Sequence, residues 1–254
     1  MELSLPLQKQ FNFYKNKLLL SFACCDLCGS SCQHYALLCQ ACSYDLPRFK
    51  LDIVHADLLN WPIINQGLPD IKFDHLLCLS PYITPFKQWL SQYKYSGRFE
   101  LGAFFAHMLA DHLKKYWLQS SSTYLPQQPD LILSVPLHYK KWQIRGYNQA
   151  HLLAENLAKQ IQLPYCSTGI IRCKPTLSQV GQSGVNRRKS LHNAFEIKLN
   201  TTDIPRHVLL IDDVVTTGAT TNEITKKLKQ IGVNKVTVVA LCLSLPNAKV
   251  LLER

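Results

Sequence analysis

Two adjacent carboxylates lie between a short apolar run and a segment with helical spacing, towards the C-terminal end of the chain. The run Val208–Ile211 is β-branched at both ends, as a central strand of a parallel sheet requires. Asp212 and Asp213 follow it directly, at the end of the strand where open α/β sheets place ligands. Such a pair beside an anion site suits the hydroxyls of a ribose, with a divalent cation nearby.

The loop after the two carboxylates has the composition of an anion site. The helical pattern after it begins at Thr221, and a helix N-terminus offers free N–H groups and a partial positive charge. Gly218 lets the backbone approach the anion closely, and the threonines add hydroxyl donors. An ordinary strand-to-helix turn with a Thr cap is the alternative. The residues expected to bind phosphate are Thr216, Thr217, Gly218, Ala219 and Thr220.

Ten cysteines are present, and six of them fall between Cys24 and Cys42. Four of the six form two C-x-x-C pairs, which are Cys25 with Cys28 and Cys39 with Cys42. Each pair can direct two thiolates at one tetrahedral ion, so the spacing predicts a structural Zn²⁺ site. A redox pair or free buried thiols are the alternatives, and the lack of a secretory signal favours zinc.

The chain carries a net charge of +11, and residues 138–192 contain nine Lys or Arg against one acid, Glu155. This excess suits either a phosphate-rich small ligand or a nucleic-acid backbone, with a solvated basic face as the alternative. Trp142 and Tyr147 lie in the same segment and could stack on bases. The candidate contacts to pyrophosphate or DNA phosphates are Lys140, Lys141, Arg145, Asn148, Gln149, Arg187 and Arg188.

The 254 residues, 47% of them hydrophobic, suit one good-sized domain and a small appendage. From Asp130 onward, strands expected over 131–135, 169–172, 208–211 and 235–243 alternate with helices expected over 149–161 and 221–231. This alternation predicts a parallel sheet with helices on both faces. We expect an N-terminal helix and zinc module over 1–47, a connector and helical region over 48–129, and an α/β domain over 130–254. No apolar run is long enough for a transmembrane segment, and we expect a cytoplasmic protein.

The strand, carboxylates and loop resemble the phosphoribosyl-pyrophosphate (PRPP) loop of type I phosphoribosyltransferases, whereas the motifs G-x-x-x-x-G-K-[ST] and G-x-G-x-x-G are absent. The order of all motifs resembles the ComF family of phosphoribosyltransferase-like competence proteins, over about residues 20 to 245. Those motifs are the four cysteines, Val135-Pro-Leu-His138, Arg145-Gly-Tyr-Asn-Gln149, Pro175-Thr-x-x-Gln-x-Gly181, Arg187-Arg188, Ala194-Phe195 and Asp212-Asp-Val-Val-Thr-Thr-Gly-Ala-Thr220.

The resemblance implies a type I phosphoribosyltransferase-like fold with a small zinc-ribbon-like module before it. It implies binding of PRPP or a related phosphoribosyl ligand with Mg²⁺, and a role in natural transformation that involves single-stranded DNA. Other DNA-uptake proteins at the inner membrane are possible partners. It does not establish catalysis, and the sequence assigns no catalytic residue. A nucleobase phosphoribosyltransferase of salvage and a non-catalytic PRPP-sensing regulator are the alternatives.

Overall fold

The computed structural model describes residues 24–32, 37–68, 70–115, 128–173, 193–200 and 203–245. It divides into two compact units, Met1–Pro47 and Arg48–Arg254. In the part of the chain that it describes, no helix combines the length and the apolar character needed to cross a bilayer.

The N-terminal unit is built around its cysteines. An antiparallel bridge between Cys24 and Ser31 closes a turn, in which Gly29 adopts φ +74° and its N–H donates to the Cys25 carbonyl over 2.9 Å. Helix α1 (Gln40–Tyr44) begins directly after Cys39, whose sulfur caps it. The first C-x-x-C pair therefore lies on a tight turn and the second at the N-terminus of a short helix, and either arrangement can bring two sulfurs to one side.

The larger unit contains a four-stranded sheet in which every strand is parallel, in the order β1-β6-β5-β2. Residues of β6 are buried almost without interruption, so side chains from both faces of this central strand are covered. Strand β1 lies in the 48–129 segment, and it forms one edge of the sheet. The strands are β1 (His75–Pro81), β2 (Leu131–Ser134), β5 (His207–Val215) and β6 (Lys235–Leu243).

Helices cover this sheet. Helix α4 packs against α6, α6 contacts β2 and β5, and α7 contacts β6. The Asn148 side chain caps α6 by accepting from the Ala150 N–H over 3.2 Å. Two short 3₁₀ turns, Leu51–Val54 and Leu58–Asn60, precede β1. The helices are α2 (Pro62–Gly67), α3 (Phe86–Tyr95), α4 (Glu100–Leu113), α5 (Tyr139–Arg145), α6 (Gln149–Ile161) and α7 (Ala219–Gln230).

Two very short strands form a separate antiparallel pair, β3 (Ile170–Arg172) with β4 (Phe195–Ile197). Strand β3 matches the sequence prediction, while β4 was not predicted because three residues carry too little periodicity. The predicted fold class, a mostly parallel sheet flanked by helices after a four-cysteine module, is confirmed.

Candidate functional site

Asp212 and Asp213 lie inside β5 rather than just beyond it, because β5 continues to pair with β6 as far as Val215. The Asp213 N–H donates to Asp212 Oδ1 over 2.8 Å. On the other carboxylate, Asp213 Oδ2 lies 2.7 Å from Lys94 Nζ, and both side chains are only 16–17% exposed. The C-terminal part of β5 thus carries two carboxylates, and Lys94 of α3 supplies a positive charge beside one of them.

The two carboxyl groups differ in how readily they ionise. Burial raises the pKa of Asp212 well above its usual range, and the charge of Asp213 adds to this. Burial also opposes ionisation of Asp213, but the Lys94 ammonium and then the Arg145 guanidinium outweigh it and hold the pKa of Asp213 below its usual range. Asp213 is therefore the charged member of the pair, and Asp212 is the member that retains a proton more easily.

The predicted phosphate loop leads directly into α7. Gly218 takes φ +68°, a conformation that other residues rarely adopt, and it stands at the helix N-cap. The Thr217 hydroxyl accepts from the Ala219 N–H over 3.5 Å. Ala219 and Thr220 are already helical, two residues earlier than the sequence pattern suggested. The N–H groups of the first turn of a 12-residue helix therefore follow the carboxylates closely along the chain.

A second loop reaches the same edge of the sheet after β2. His138 caps α5, and Gly146 ends that helix with φ +77°. Burial and the positive charges of Arg172, Lys140 and Lys141 lower the pKa of His138. Helix α5 has no buried residue. It therefore presents its lysines on an exposed surface with a positive potential.

Arg145 links this loop to the carboxylates. Its guanidinium donates to Gln149 Oε1 over 3.0 Å and to the Tyr95 hydroxyl over 2.9 Å, and it lies over the Tyr95 ring. Its charge also contributes to the low pKa of Asp213. Gln149 is buried, so its side-chain oxygen holds the Arg145 guanidinium from the interior side.

The remaining predicted phosphate contacts differ in placement. Asn148 donates through Nδ2 to the Val135 carbonyl over 3.1 Å, in addition to capping α6. Its amide thus holds the β2 loop against the helix, and contact with a phosphate stays a prediction. Arg187 and Arg188 lie outside the described residues.

Lys94 and Tyr95 were not anticipated from the sequence. They lie at the end of α3, far from β5 along the chain. A single sequence does not indicate which distant helix will pack beside the end of a given strand. Tyr147 was expected to stack on bases, but its hydroxyl donates to the Tyr93 carbonyl, and its ring packs between Tyr93 and Phe99. It serves to fasten the α5–α6 connection to α3.

The four predicted cysteines converge in the N-terminal unit. Their sulfur atoms all lie within 4.8 Å of one another, and Cys28 Sγ is 3.7 Å from Cys39 Sγ. Sulfurs on a tetrahedral Zn²⁺ are about 3.8 Å apart, given Zn–S bonds of about 2.3 Å. Hydrogen bonds from Ser30 lower the pKa of the Cys28 thiol to about 6, while the hydrogen bond with Cys28 raises the pKa of the Cys42 thiol. The cluster could therefore hold a metal ion.

Two solved structures resemble part of the chain. One is the glutamine PRPP amidotransferase of Bacillus subtilis, with 18% identity, a TM-score of 0.36, and coverage of 59% of this chain and 30% of that one. The other is a hypoxanthine phosphoribosyltransferase of Staphylococcus aureus, with 19% identity, a TM-score of 0.33, and coverage of 59% and 66%.

No protein-family model matches the chain, but relatives in sequence match most of it. Competence protein F of Haemophilus influenzae is 32% identical over 224 residues, which are 87% of this chain and 85% of that protein. The DNA utilization protein YhgH of Salmonella typhimurium is 32% identical over 221 residues, 87% and 90%. Competence protein ComFC of Streptococcus pneumoniae is 32% identical over 155 residues, 61% and 62%. With these relatives, and with the four-cysteine module preceding the parallel sheet in the sequence, the chain belongs to the ComF family.

Proposed function

We propose that this chain binds a phosphoribosyl ligand such as PRPP at the end of β5, and single-stranded DNA along α5, as a cytoplasmic factor in DNA uptake. The observation that carries the proposal is the Asp212–Asp213 pair, with Lys94 and Arg145 around it, on a strand that leads through a short loop into a helix N-terminus. The names of the relatives, competence and DNA utilization, support the cellular role.

Each part of a phosphoribosyl ligand has a matching group. The first-turn N–H groups of α7 and the hydroxyl of Thr220 suit the 5′-phosphate. The carboxylates suit the ribose hydroxyls, and Arg145 suits the pyrophosphate. Carboxylate oxygens also fit Mg²⁺, which would supply charge neutralisation to the phosphate oxygens.

Titration calorimetry with PRPP and Mg²⁺ tests this site. A charge-assisted hydrogen bond contributes about 1.5–3 kcal/mol, so Asp213→Ala is expected to weaken PRPP binding about tenfold or more. Thr220→Val, which removes one hydroxyl from the first turn of α7, is expected to cause a smaller loss. Lys226→Ala on the exposed side of the same helix is the control. Equal affinity in wild type and Asp213→Ala would reject the assignment.

Turnover separates the salvage enzyme from the two accounts in which PRPP is bound without transfer. A salvage enzyme releases pyrophosphate from PRPP when the correct nucleobase is added. A sensing regulator binds PRPP without release, and the ligand changes its affinity for a protein partner. Measuring pyrophosphate after adding each common nucleobase therefore decides whether the site catalyses transfer.

The strand-binding part of the proposal is supported by α5. This helix combines two lysines with two exposed aromatic side chains, Tyr139 and Trp142, and none of its residues is buried. Lysines with neighbouring aromatic rings are the combination that proteins use to bind single strands without sequence preference. The fold does not need these side chains for its core, which favours an interaction surface.

We also infer that the metal of the cysteine cluster is a structural Zn²⁺. Four sulfur donors within 4.8 Å of one another would fill a tetrahedral coordination shell and leave no open position for a substrate. Such a metal stabilises the fold of its module directly.

A further inference from the structure

A solvent-open cavity of about 230 Å³ lies where β2, α5 and α6 meet. Ser134, Trp142, Asn148 and His151 are among its lining residues, and none of the described residues that line it belongs to β5 or to the loop that follows. Ser134 nevertheless pairs with Ile211, the residue directly before Asp212. The cavity is therefore a separate site on the strand next to the carboxylates.

Trp142 supplies one wall of the cavity and remains 54% exposed. It stands on a seven-residue helix with no buried residue, so its indole contributes little to the core. A flat, accessible indole beside lysines can stack on any base, because every base has a π-face.

Three side chains, Ser134, Tyr165 and His151, form a chain of hydrogen bonds beside the cavity. Ser134 Oγ lies 2.9 Å from the Tyr165 hydroxyl, which in turn lies 2.6 Å from His151 Nδ1. Burial raises the pKa of Tyr165 to about 12, so its phenol stays neutral. Both hydroxyls donate or accept, and the imidazole has two neutral tautomers. The chain of hydrogen bonds can therefore reverse its direction, and His151 Nε2 can present either a donor or an acceptor.

We propose that this cavity binds a nucleobase, stacked on Trp142 and hydrogen-bonded through His151. The cavity is smaller than the roughly 300–1,000 Å³ of sites for drug-sized ligands, so it suits one planar ring system rather than a whole nucleotide. The sugar and phosphate stay outside, where Lys140 and Lys141 lie on the adjoining helix. The base could belong to a DNA single strand or to a free nucleoside, because both offer the same ring. In the first case the inference rests on the proposed strand binding.

Strand binding is measured with a short oligothymidylate and with an abasic strand of equal length, which keeps every phosphate but has no bases. Trp142→Ala is expected to weaken binding of the oligothymidylate by about 5- to 150-fold and to leave the abasic strand unaffected. Ile144→Ala, which removes a still more exposed apolar side chain without a ring from the same helix, is expected to change neither affinity.

Saturation-transfer NMR with the four deoxynucleosides tests the cavity without any phosphate. Wild type is expected to give signal on the base protons of at least one deoxynucleoside, and Trp142→Ala and the double variant Tyr165→Phe with His151→Ala are expected to lose it. Circular dichroism confirms that each variant is folded.

The outcomes separate the inference from the function on which it rests. If the wild type binds neither strand but a deoxynucleoside gives Trp142-dependent signal, the cavity is a base site and the proposed strand binding is wrong. If Trp142→Ala weakens the two strands equally or leaves both unchanged, and no deoxynucleoside gives signal, the inference is overturned whatever the strand affinity is.

Discussion

Among the individual residues, Lys94 changes what the carboxylate pair can do. An isolated pair of buried, adjacent aspartates would share one proton, because two neighbouring negative charges repel each other. Lys94 keeps Asp213 charged by standing 2.7 Å away, while Asp212 keeps a raised pKa. Before any ligand binds, the site thus holds one charged carboxylate, Asp213, and one that ionises with difficulty, Asp212. A ribose diol or a cation would therefore interact differently with the two.

A double-mutant cycle tests the Lys94–Asp213 pair. Removing one member leaves the other charge largely buried without its partner, so Lys94→Met and Asp213→Asn are each expected to cost roughly 3 kcal/mol of unfolding free energy. The double variant is expected to recover a large part of that cost, because no unpaired charge is left. Urea denaturation measures all four proteins, and strictly additive losses would contradict the pairing.

The same residues show where sequence reasoning stops. Asp212 and Asp213 were predicted because they follow a strand signal within a few residues, and the structure places them on β5. Lys94 reaches that strand, and Tyr95 reaches Arg145 on α5, only through the packing of α3 in the tertiary structure. Contacts across such long separations leave no trace in local periodicity.

At the scale of elements, α5 is the feature that strand binding depends on. Its lysines are expected to bind phosphates of the strand, and each phosphate that is no longer bound lowers the salt slope of log affinity by about 0.7. Lys140→Ala with Lys141→Ala is therefore expected to flatten the salt dependence and to weaken all sequences alike. Gel-shift titrations over a series of salt concentrations measure the slope.

Lys159→Ala is the matched control for this experiment. Lys159 lies in the same basic segment, but it pairs with Glu155 on α6 at 3.1 Å and lies outside the surface formed by α5. An equal effect of this variant would show that overall charge, and not α5, governs binding. Binding that is indifferent to salt would show that the chain does not bind nucleic acid through its phosphates.

Two of the longer elements were predicted with their observed bounds, whereas β5 extends four residues beyond its predicted end. The pattern predicted α6 over Gln149–Ile161 and β6 over Lys235–Leu243, and the structure has the same bounds. Each has enough residues for its periodicity to stand out. Strand β4 was missed, since its three residues become a strand only through pairing with β3. The strand order β1-β6-β5-β2 is likewise a property of the assembled sheet, which local patterns do not encode.

At the scale of the whole molecule, the four cysteines belong to one compact unit and the carboxylates to the other. We expect about one zinc per chain by elemental analysis of protein purified without chelator. Cys25→Ser is expected to lose the metal and to lower stability, because zinc contributes directly to folding of its module. It is expected to leave PRPP affinity nearly unchanged.

Cys24→Ser serves as the control for the zinc experiment, because Cys24 is exposed and lies outside the four-sulfur cluster. It is expected to retain the metal in full. Far less than one zinc in the wild type, or undiminished zinc in Cys25→Ser, would show that the cluster is not the predicted site.

The most direct test of the proposed ligand site is a crystal structure of the chain with PRPP and Mg²⁺. We predict that the 5′-phosphate lies against the first-turn N–H groups of α7, with the ribose hydroxyls within hydrogen-bond distance of Asp212 or Asp213. Arg145 or Lys94 is expected to contact the ligand as well. PRPP bound elsewhere, or a β5 end that stays empty at saturating PRPP, would contradict the central claim.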